Sequence, residues 1–119
     1  MSDAPTEAEL TARYLPRIEA ELAALDTESA ATSGDRKPVV LDQQGVGRLS
    51  RMDALQGQAM ASALEVRRSR RRQMLEAARA RIAAAEFGWC AGCGGFIGAG
   101  RLDVDPAALM CVTCAGGRQ

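Results

Sequence analysis

The fold of this chain is decided by residues 90–114, CAGCGGFIGAGRLDVDPAALMCVTC. The stretch contains all four cysteines of the 119-residue sequence, arranged as two C-x-x-C pairs with seventeen residues between them. No histidine occurs anywhere in the chain. Two such pairs are typical of a tetrahedral site in which four thiolates hold one metal ion. We therefore predict a single structural Zn²⁺ bound by Cys90, Cys93, Cys111 and Cys114.

Two disulfides or a redox-active C-x-x-C pair are the alternative interpretation of these cysteines. A redox motif would lie beside a strand–helix unit, and the sequence shows no such unit. A catalytic zinc is disfavoured because no histidine, aspartate or open position completes the set. Glycines stand where the tight turns need a relaxed φ angle, which is the expected role of Gly92, Gly94, Gly95, Gly116 and Gly117.

The composition favours helices over sheet. The chain has one tryptophan, one tyrosine and two phenylalanines, while alanine and arginine are abundant. Because so few large side chains cannot fill a wide core, we expect a long helical hairpin joined to a metal-stabilised knob. No run of eighteen apolar residues occurs, so we expect no membrane partner. The acidic start, Met1–Pro5, lacks a signal-peptide core, which together with zinc-type cysteines predicts a reducing cytoplasm.

Charge is segregated along the chain, although fifteen basic and fifteen acidic side chains balance overall. Residues 1–35 carry eight acidic and two basic side chains, whereas residues 64–86 carry seven arginines and three glutamates. Such asymmetry serves self-complementation or partner binding. Four thiolates with one Zn²⁺ would change the formal net charge from zero to −2. A negative total disfavours non-specific binding to nucleic acid.

The first helix is expected at about residues 7–31. Thr6 and Glu9 match a capping box, which marks the start of a helix. Pro16 lies inside this range, where a proline either kinks the helix or belongs to the first turn of a separate one.

A connector at about 32–47, with a short extended segment at 39–41, is expected to lead into a second helix at about 48–86. Forty residues of helix would be about 60 Å long and would need a partner helix. The predicted fold is therefore mostly α. It is an antiparallel helical hairpin, or coiled coil, over residues 1–86, followed by a small C4 zinc finger over residues 87–119.

Apolar residues at steps of three and four give each helix a predicted seam. The seam of the first helix comprises Leu15, Ile18, Leu22 and Leu25. The second helix has two, one formed by Met52, Leu55, Ala59, Ala63 and Val66 and the other by Leu75, Ala78, Ile82 and Ala85. Simple pairing across the connector places Leu25 near Met52 and Leu15 near Ala63.

Five arginines occupy residues 67–72, between the two seams of the second helix. One interpretation is a solvated helix face. The other is a binding surface, because Glu65 and Glu76 are too few to neutralise them all.

The sequence gives no indication of an enzyme, and we predict neither catalytic nor organic-cofactor-binding residues. Gly45-Val46-Gly47 lacks the preceding strand and the further glycine of a dinucleotide-binding motif. The chain has no histidine to act as a base near neutral pH.

The cysteine region resembles the C4 zinc finger of the DksA/TraR family of bacterial transcription factors. The resemblance rests on the spacing Cys90-x2-Cys93-x3-Ile97-x3-Arg101-x4-Pro106-x4-Cys111-x2-Cys114. Phe87-Gly88-Trp89-Cys90 resembles the helix-to-finger junction of that family, and Arg101-Leu102 its central pair. Ala91 departs from the pattern, because the residue after the first cysteine is commonly acidic. Upstream of residue 80 the resemblance is one of architecture.

The resemblance implies a regulator that binds RNA polymerase directly and has no sequence-specific DNA binding of its own. The hairpin would enter the secondary channel, where an acidic tip acts near the active site. Arg67 and Arg70 would lie on the basic face that contacts polymerase and, in some members, guanosine tetraphosphate. The position of the key tip aspartate falls on Ser50, so Asp53 or Asp42 would have to replace it. We expect a monomer.

Other functions remain open from the sequence. The chain could bind polymerase with an inactive tip, since Ser50 replaces the aspartate. It could be a structural zinc adaptor that binds another protein through its hairpin. A nucleic-acid finger that uses the arginine block is a third interpretation.

Overall fold

The computed structural model describes residues 5–37 and 48–116. Its elements are α1 (Glu7–Ala31), a 3-10 turn (Ser33–Arg36), α2 (Arg48–Ala83), α3 (Ala99–Val104) and α4 (Val112–Ala115). Within the described ranges the extended pairing is a single antiparallel bridge between Trp89 and Phe96. The predicted fold class, a helical hairpin followed by a four-cysteine knob, is confirmed.

The chain forms two compact units. The first unit combines Met1–Ala23 with Arg72–Gln119, and the second unit is Ala24–Arg71. The predicted division into a hairpin domain and a finger domain stays a prediction. The predicted extended segment at 39–41, and Asp42, lie outside the described residues. No described helix combines the length and the apolar character that crossing a membrane would require.

The start of α1 is the capping box predicted from Thr6 and Glu9. The Thr6 amide donates to Glu9 Oε1 at 2.8 Å, and the Glu9 amide donates to Thr6 Oγ1 at 3.1 Å. Each side chain thereby satisfies an amide that the helix itself leaves without an acceptor. Pro16 lies inside α1 without ending it. The fully buried Tyr14 and Ile18 on either side offset the hydrogen bond that the proline removes.

The buried face of α1 differs from the predicted seam. Its buried residues are Leu10, Tyr14, Ile18 and Leu22, at steps of four. Leu15 and Leu25 of the predicted seam are only partly buried. Tyr14 is the cause, because this large side chain takes the position next to Ile18 on the packed face. The seam predicted from the leucines therefore lies on a face of α1 that is rotated by part of a turn from the face that is actually buried.

Among the residues of α2 whose burial the structure describes, the fully buried ones lie in the first unit. Leu75 and Ala78 have no exposed surface and Ile82 is half-buried, whereas Ala85 of the same predicted seam is exposed. The seam predicted nearer the start of α2 is wrong, since all of its members are exposed: Met52, Leu55, Ala59, Ala63 and Val66.

The predicted register of the hairpin is also wrong. In the second unit the Ser29 hydroxyl donates to Glu65 at 2.9 Å. Gln58 Nε2 donates to the Lys37 carbonyl at 2.8 Å. The predicted pairing would have placed Ser29 beside the start of α2. The chain after Ala31 instead continues along α2 through the 3-10 turn, and the pairing of the helices shifts toward the carboxyl end of α2.

The end of α2 is a Schellman turn. The Glu86 amide donates to the Arg81 carbonyl at 2.8 Å, and the Ala85 amide donates to the Ile82 carbonyl at 3.1 Å. Ala85 has a φ of 63°, in the left-handed region that usually favours glycine. This turn directs the chain into Phe87 and the cysteine segment.

The burial pattern of α1 yields a stability prediction. Ile18→Ala should lower the free energy of unfolding by about 2–5 kcal/mol, because it leaves a cavity at a fully enclosed site. Leu15→Ala is the matched control, and at its partly exposed site it should cost about 1 kcal/mol or less. Urea denaturation of the zinc-loaded chain, followed by far-ultraviolet circular dichroism, measures both. Equal losses would contradict the observed packing and favour the seam through Leu15.

Candidate metal centre

The first cysteine pair lies at the tip of a short hairpin. The Cys90 amide donates to the Gly95 carbonyl at 2.7 Å, and the Gly94 amide donates to the Cys90 carbonyl at 2.9 Å. On the other side of the Trp89–Phe96 bridge, the Ile97 amide donates to the Gly88 carbonyl at 2.8 Å. This bond continues the antiparallel pairing of the two segments. The hairpin turns the Cys90 and Cys93 sulfurs toward the second pair.

The second cysteine pair lies at the start of α4. Cys111 is the amino-terminal cap of this helix, and its sulfur accepts from the Cys114 amide at 3.5 Å. The Ala91 amide donates to the Leu109 carbonyl at 2.8 Å. This bond joins the two cysteine segments directly.

The four sulfur atoms converge on one point. Each lies within 4.8 Å of every other, and the Cys93 and Cys111 sulfurs are 3.9 Å apart. A Zn–S bond of about 2.3 Å implies about 3.8 Å between sulfurs at the corners of a tetrahedron. A disulfide would require about 2.05 Å. The cluster therefore has the dimensions of a four-thiolate metal site rather than of two disulfides.

Backbone amides prepare Cys90 to carry a negative charge. Its sulfur accepts from the amides of Cys111 and Gly92, both at 3.3 Å, and from the Cys93 amide at 3.5 Å. These donors, that of Cys111 first, lower the pKa of the buried Cys90 thiol to about 6. A thiolate at this position is the form that binds metal.

Cys114 shows the opposite shift. Its thiol donates to the Cys111 and Cys90 sulfurs, which raises the pKa of Cys114 to about 12. Four adjacent thiolates would repel one another. A divalent ion at the centre would displace the thiol protons and stabilise all four thiolates. The donor set therefore fits a soft divalent metal such as zinc.

Three of the predicted turn glycines, Gly92, Gly95 and Gly116, do not have the positive φ angle for which glycine is usually needed. Gly94 has a φ of 79°, as its turn requires, but Gly92 and Gly95 do not have positive φ angles. Gly116 caps α4 in an ordinary helical conformation, with a φ of −71°. Gly117 lies outside the described residues. Gly92 is instead needed for space, since a Cβ there would lie 3.1 Å from the Cys114 sulfur.

The segment between the cysteine pairs is held by α3, whose contacts the sequence did not reveal. Arg101 Nε donates to the Met110 carbonyl at 2.6 Å, and Leu102 is fully buried. Asp103 accepts from Arg13 and from the Tyr14 hydroxyl. These contacts join residues about ninety positions apart. The one feature of the sequence that could have indicated these contacts is Tyr14, because it is the single tyrosine in the chain.

The candidate partner-binding residues lie on α2 in the second unit. Arg67 and Arg70 are exposed and one helical turn apart, and Asp53 is exposed near the start of the helix. Ser50 lies in the first turn of α2. The structure brings the four cysteines together at one site, whereas these four residues are spread along the helix.

Arg68 has a different environment from the other arginines of the block. Its Nε lies 3.4 Å from Glu28 Oε1 and its Nη1 lies 3.2 Å from Glu65 Oε1, with 17% of its side chain exposed. Arg36 Nη1 also lies 3.4 Å from Glu65 Oε1. The Ser29 hydroxyl, followed by Arg68 and Arg36, holds the pKa of Glu65 below its usual range. Arg68 therefore belongs to the packing of the second unit.

Comparisons with known proteins agree with this geometry. Residues 85–119 match the family model of the prokaryotic dksA/traR C4-type zinc finger. The solved structure of transcription factor DksA2 from Pseudomonas aeruginosa is similar, with a TM-score of 0.70 and 19% sequence identity. The similarity covers 97% of this chain and 84% of that one. A comparison with curated proteins finds no match.

The finger region, residues 85–119, is similar to the C4-type zinc finger of the DksA/TraR family, as the sequence predicted. The similarity to DksA2 extends over the hairpin as well and shows that the fold is shared. The C4 family and the cysteine cluster together establish one structural zinc, and the predicted metal is confirmed.

Gly92→Ala tests the space requirement at the cluster. The added Cβ would lie 3.1 Å from Cys114 Sγ and 3.3 Å from Cys114 Cβ, so Cys114 would have to shift. We expect zinc affinity to fall about tenfold or more, since overpacking of this kind costs about 1–3 kcal/mol. Competition with a chromophoric chelator measures the affinity.

Gly95→Ala is the matched control, because a Cβ there meets Cys93 Sγ at an ordinary 3.6 Å. Its zinc affinity should remain within about twofold of the wild type. A loss as large as that of Gly92→Ala would show that loop flexibility, and not space, explains Gly92.

Proposed function

We propose that this chain binds RNA polymerase directly and modulates transcription initiation, without catalysing a reaction. The main support is that the chain combines a dksA/traR-type finger at residues 85–119 with the fold of DksA2, a protein described as a transcription factor. The hairpin supports the same proposal. At 36 residues, α2 is about 54 Å long, which suits a probe that enters a channel. The channel is the secondary channel of polymerase.

The docking surface in this proposal is the arginine face of α2. Arg67 and Arg70 are exposed and available to an acidic partner, whereas Arg68 is held by Glu28 and Glu65. Exposed guanidinium groups one turn apart can each bind a carboxylate or a phosphate through two hydrogen bonds. The same chemistry would allow guanosine tetraphosphate to bind at the polymerase interface.

Ser50 and Asp53 are the proposed tip residues. Asp53 is exposed near the start of α2 and supplies a carboxylate one turn beyond Ser50. In this proposal Asp53 acts after docking, when the hairpin already lies near the active site of polymerase. The protein would work as a monomer in the cytoplasm and would not recognise a DNA sequence.

The proposed ligands of the structural zinc are Cys90, Cys93, Cys111 and Cys114. Their convergence within 4.8 Å and the amides aimed at Cys90 support this set. When bound, the ion cross-links the hairpin of the first pair to α4. It supplies no catalysis, because all four positions of a tetrahedron would be filled.

An adaptor that binds another protein through its hairpin is the second candidate. Large apolar side chains on α2 are between 45% and 62% exposed, at Met52, Leu55, Met60, Leu64 and Val66. Such exposure favours a protein partner over nucleic acid. It is compatible with polymerase and with other partners, and polymerase binding therefore decides between the two.

Zinc content tests the ligand set. The reduced full-length chain should hold one zinc per chain, and Cys93→Ser should hold it much more weakly because the site loses one thiolate. Removal of the metal should unfold the finger. Trp89, next to the first ligand, should report this by a change in fluorescence. Unchanged zinc content and affinity in Cys93→Ser would remove that residue from the set.

Polymerase binding tests the proposed function. Labelled zinc-loaded chain should bind core RNA polymerase at micromolar concentration and low salt. The Arg67→Ala, Arg70→Ala double variant should bind about tenfold more weakly and with less dependence on salt. Arg79→Ala, a change at another exposed arginine of α2, is the control and should bind like the wild type. Absence of binding by the wild type would favour the adaptor.

The tip is tested separately by the lifetime of open promoter complexes. Asp53→Asn should leave polymerase binding within about twofold, since a tip carboxylate acts after docking. It should reduce any effect of the protein on the lifetime. If Asp53→Asn has no effect and Ser50→Asp increases the effect, the natural chain is a polymerase binder with an inactive tip.

A further inference from the structure

We propose that Arg101 and Asp103 are positioning residues that connect the zinc centre to α1. In this proposal α3 transmits the state of the metal site to the amino-terminal half of the first helix. Zinc binding and the attachment of α1 to the finger would then be one linked equilibrium. The proposal concerns the first unit and does not depend on the identity of the partner.

Arg101 connects α3 to the second cysteine pair. Its Nε donates to the Met110 carbonyl at 2.6 Å, and Met110 directly precedes Cys111. The Cys111 amide, which belongs to the same peptide group as that carbonyl, donates to Cys90 Sγ at 3.3 Å. One peptide group is thus held by the guanidinium on one side and aimed at a sulfur on the other. A change at Arg101 would rotate this peptide and disturb the cluster.

Asp103 connects the same helix to α1. Its carboxylate forms two hydrogen bonds with Arg13, from Nη2 at 2.6 Å and from Nε at 3.1 Å. The Tyr14 hydroxyl donates to Asp103 Oδ1 at 2.8 Å. These donors, that of Tyr14 first, hold the pKa of Asp103 below its usual range. Asp103 is therefore ionised at neutral pH and bound to α1 from two directions.

The region between the two contacts is well packed. Leu102, which separates Arg101 from Asp103, is fully buried, as is the Tyr14 side chain. The Tyr14 and Phe87 rings lie 5.7 Å apart, and Phe87 leads into the first cysteine pair. A displacement of α3 would therefore expose apolar surface as well as break polar contacts.

The coupling follows from how metal binding and folding are linked. A four-thiolate finger of this size gains its structure with the metal, so contacts that exist only in the folded finger contribute to the apparent zinc affinity. Asp103 and Tyr14 make such contacts although neither is a ligand. By reciprocity, zinc must stabilise the attachment of α1 by the same factor.

Zinc affinity of full-length variants tests the proposal by competition with a chelator. Arg101→Gln should weaken affinity about tenfold, as is typical when the support of a metal ligand is removed. Asp103→Asn and Tyr14→Phe should each weaken it about fivefold. Arg101→Lys, which keeps a donor, should recover part of the loss. Arg79→Gln and Asp53→Asn change exposed charges on α2 and should remain within about twofold of the wild type.

Hydrogen exchange of the full-length chain provides a second test. Removal of zinc from the wild type should increase exchange at the amides of residues 10–18 of α1, other than Pro16, which has no amide hydrogen; this part of the helix packs against the finger. Amides 26–31, in the second unit, should change much less. Asp103→Asn with zinc bound should reproduce part of the increase at 10–18.

Two results would overturn the proposal. One is wild-type zinc affinity in both Asp103→Asn and Tyr14→Phe. The other is unchanged exchange at amides 10–18 when zinc is removed. Either would show that α1 and the metal centre are stable independently of each other.

Discussion

Four sulfur atoms within 4.8 Å of one another are the constraint on which the rest of the structure depends. Ionised thiolates at this distance repel one another, and neutral thiols have little reason to gather. A divalent cation resolves the conflict by adding two positive charges at the centre. The hydrogen bonds of the site already favour this charge at one position, because the backbone amides of Cys111 and Cys93 lower the pKa of the Cys90 thiol. The fold places backbone amides where they assist the metal.

The apolar core lies in the same unit as the metal site. Among the described residues, every buried apolar side chain belongs to the first unit, which contains the cysteines. The second unit is held by partly buried polar contacts among Ser29, Arg36, Glu65 and Arg68. Side chains of this kind specify register through hydrogen-bond geometry but contribute less stability than a packed core. The first unit therefore carries the stability of the fold.

Local patterns in the sequence were sufficient for the capping box, the helical class and the cysteine cluster, because each depends on residues close together or on fixed spacing. The register of the hairpin was not predictable in the same way. It depends on how the chain continues after Ala31, and the 3-10 turn keeps it beside α2 for six more residues, to Lys37. The Tyr14–Asp103 hydrogen bond spans 89 positions and has no periodic signature. Such contacts follow from packing, which sequence periodicity does not describe.

The arginine block illustrates why charge counts alone do not identify a binding surface. Arg67, Arg68 and Arg70 are equivalent in composition, yet Arg68 is directed at Glu28 and Glu65 while its neighbours are exposed. A helix advances by about 100° per residue, so adjacent arginines must face different surroundings. The helical period therefore places one arginine of the three in the packing of the second unit and leaves the other two exposed.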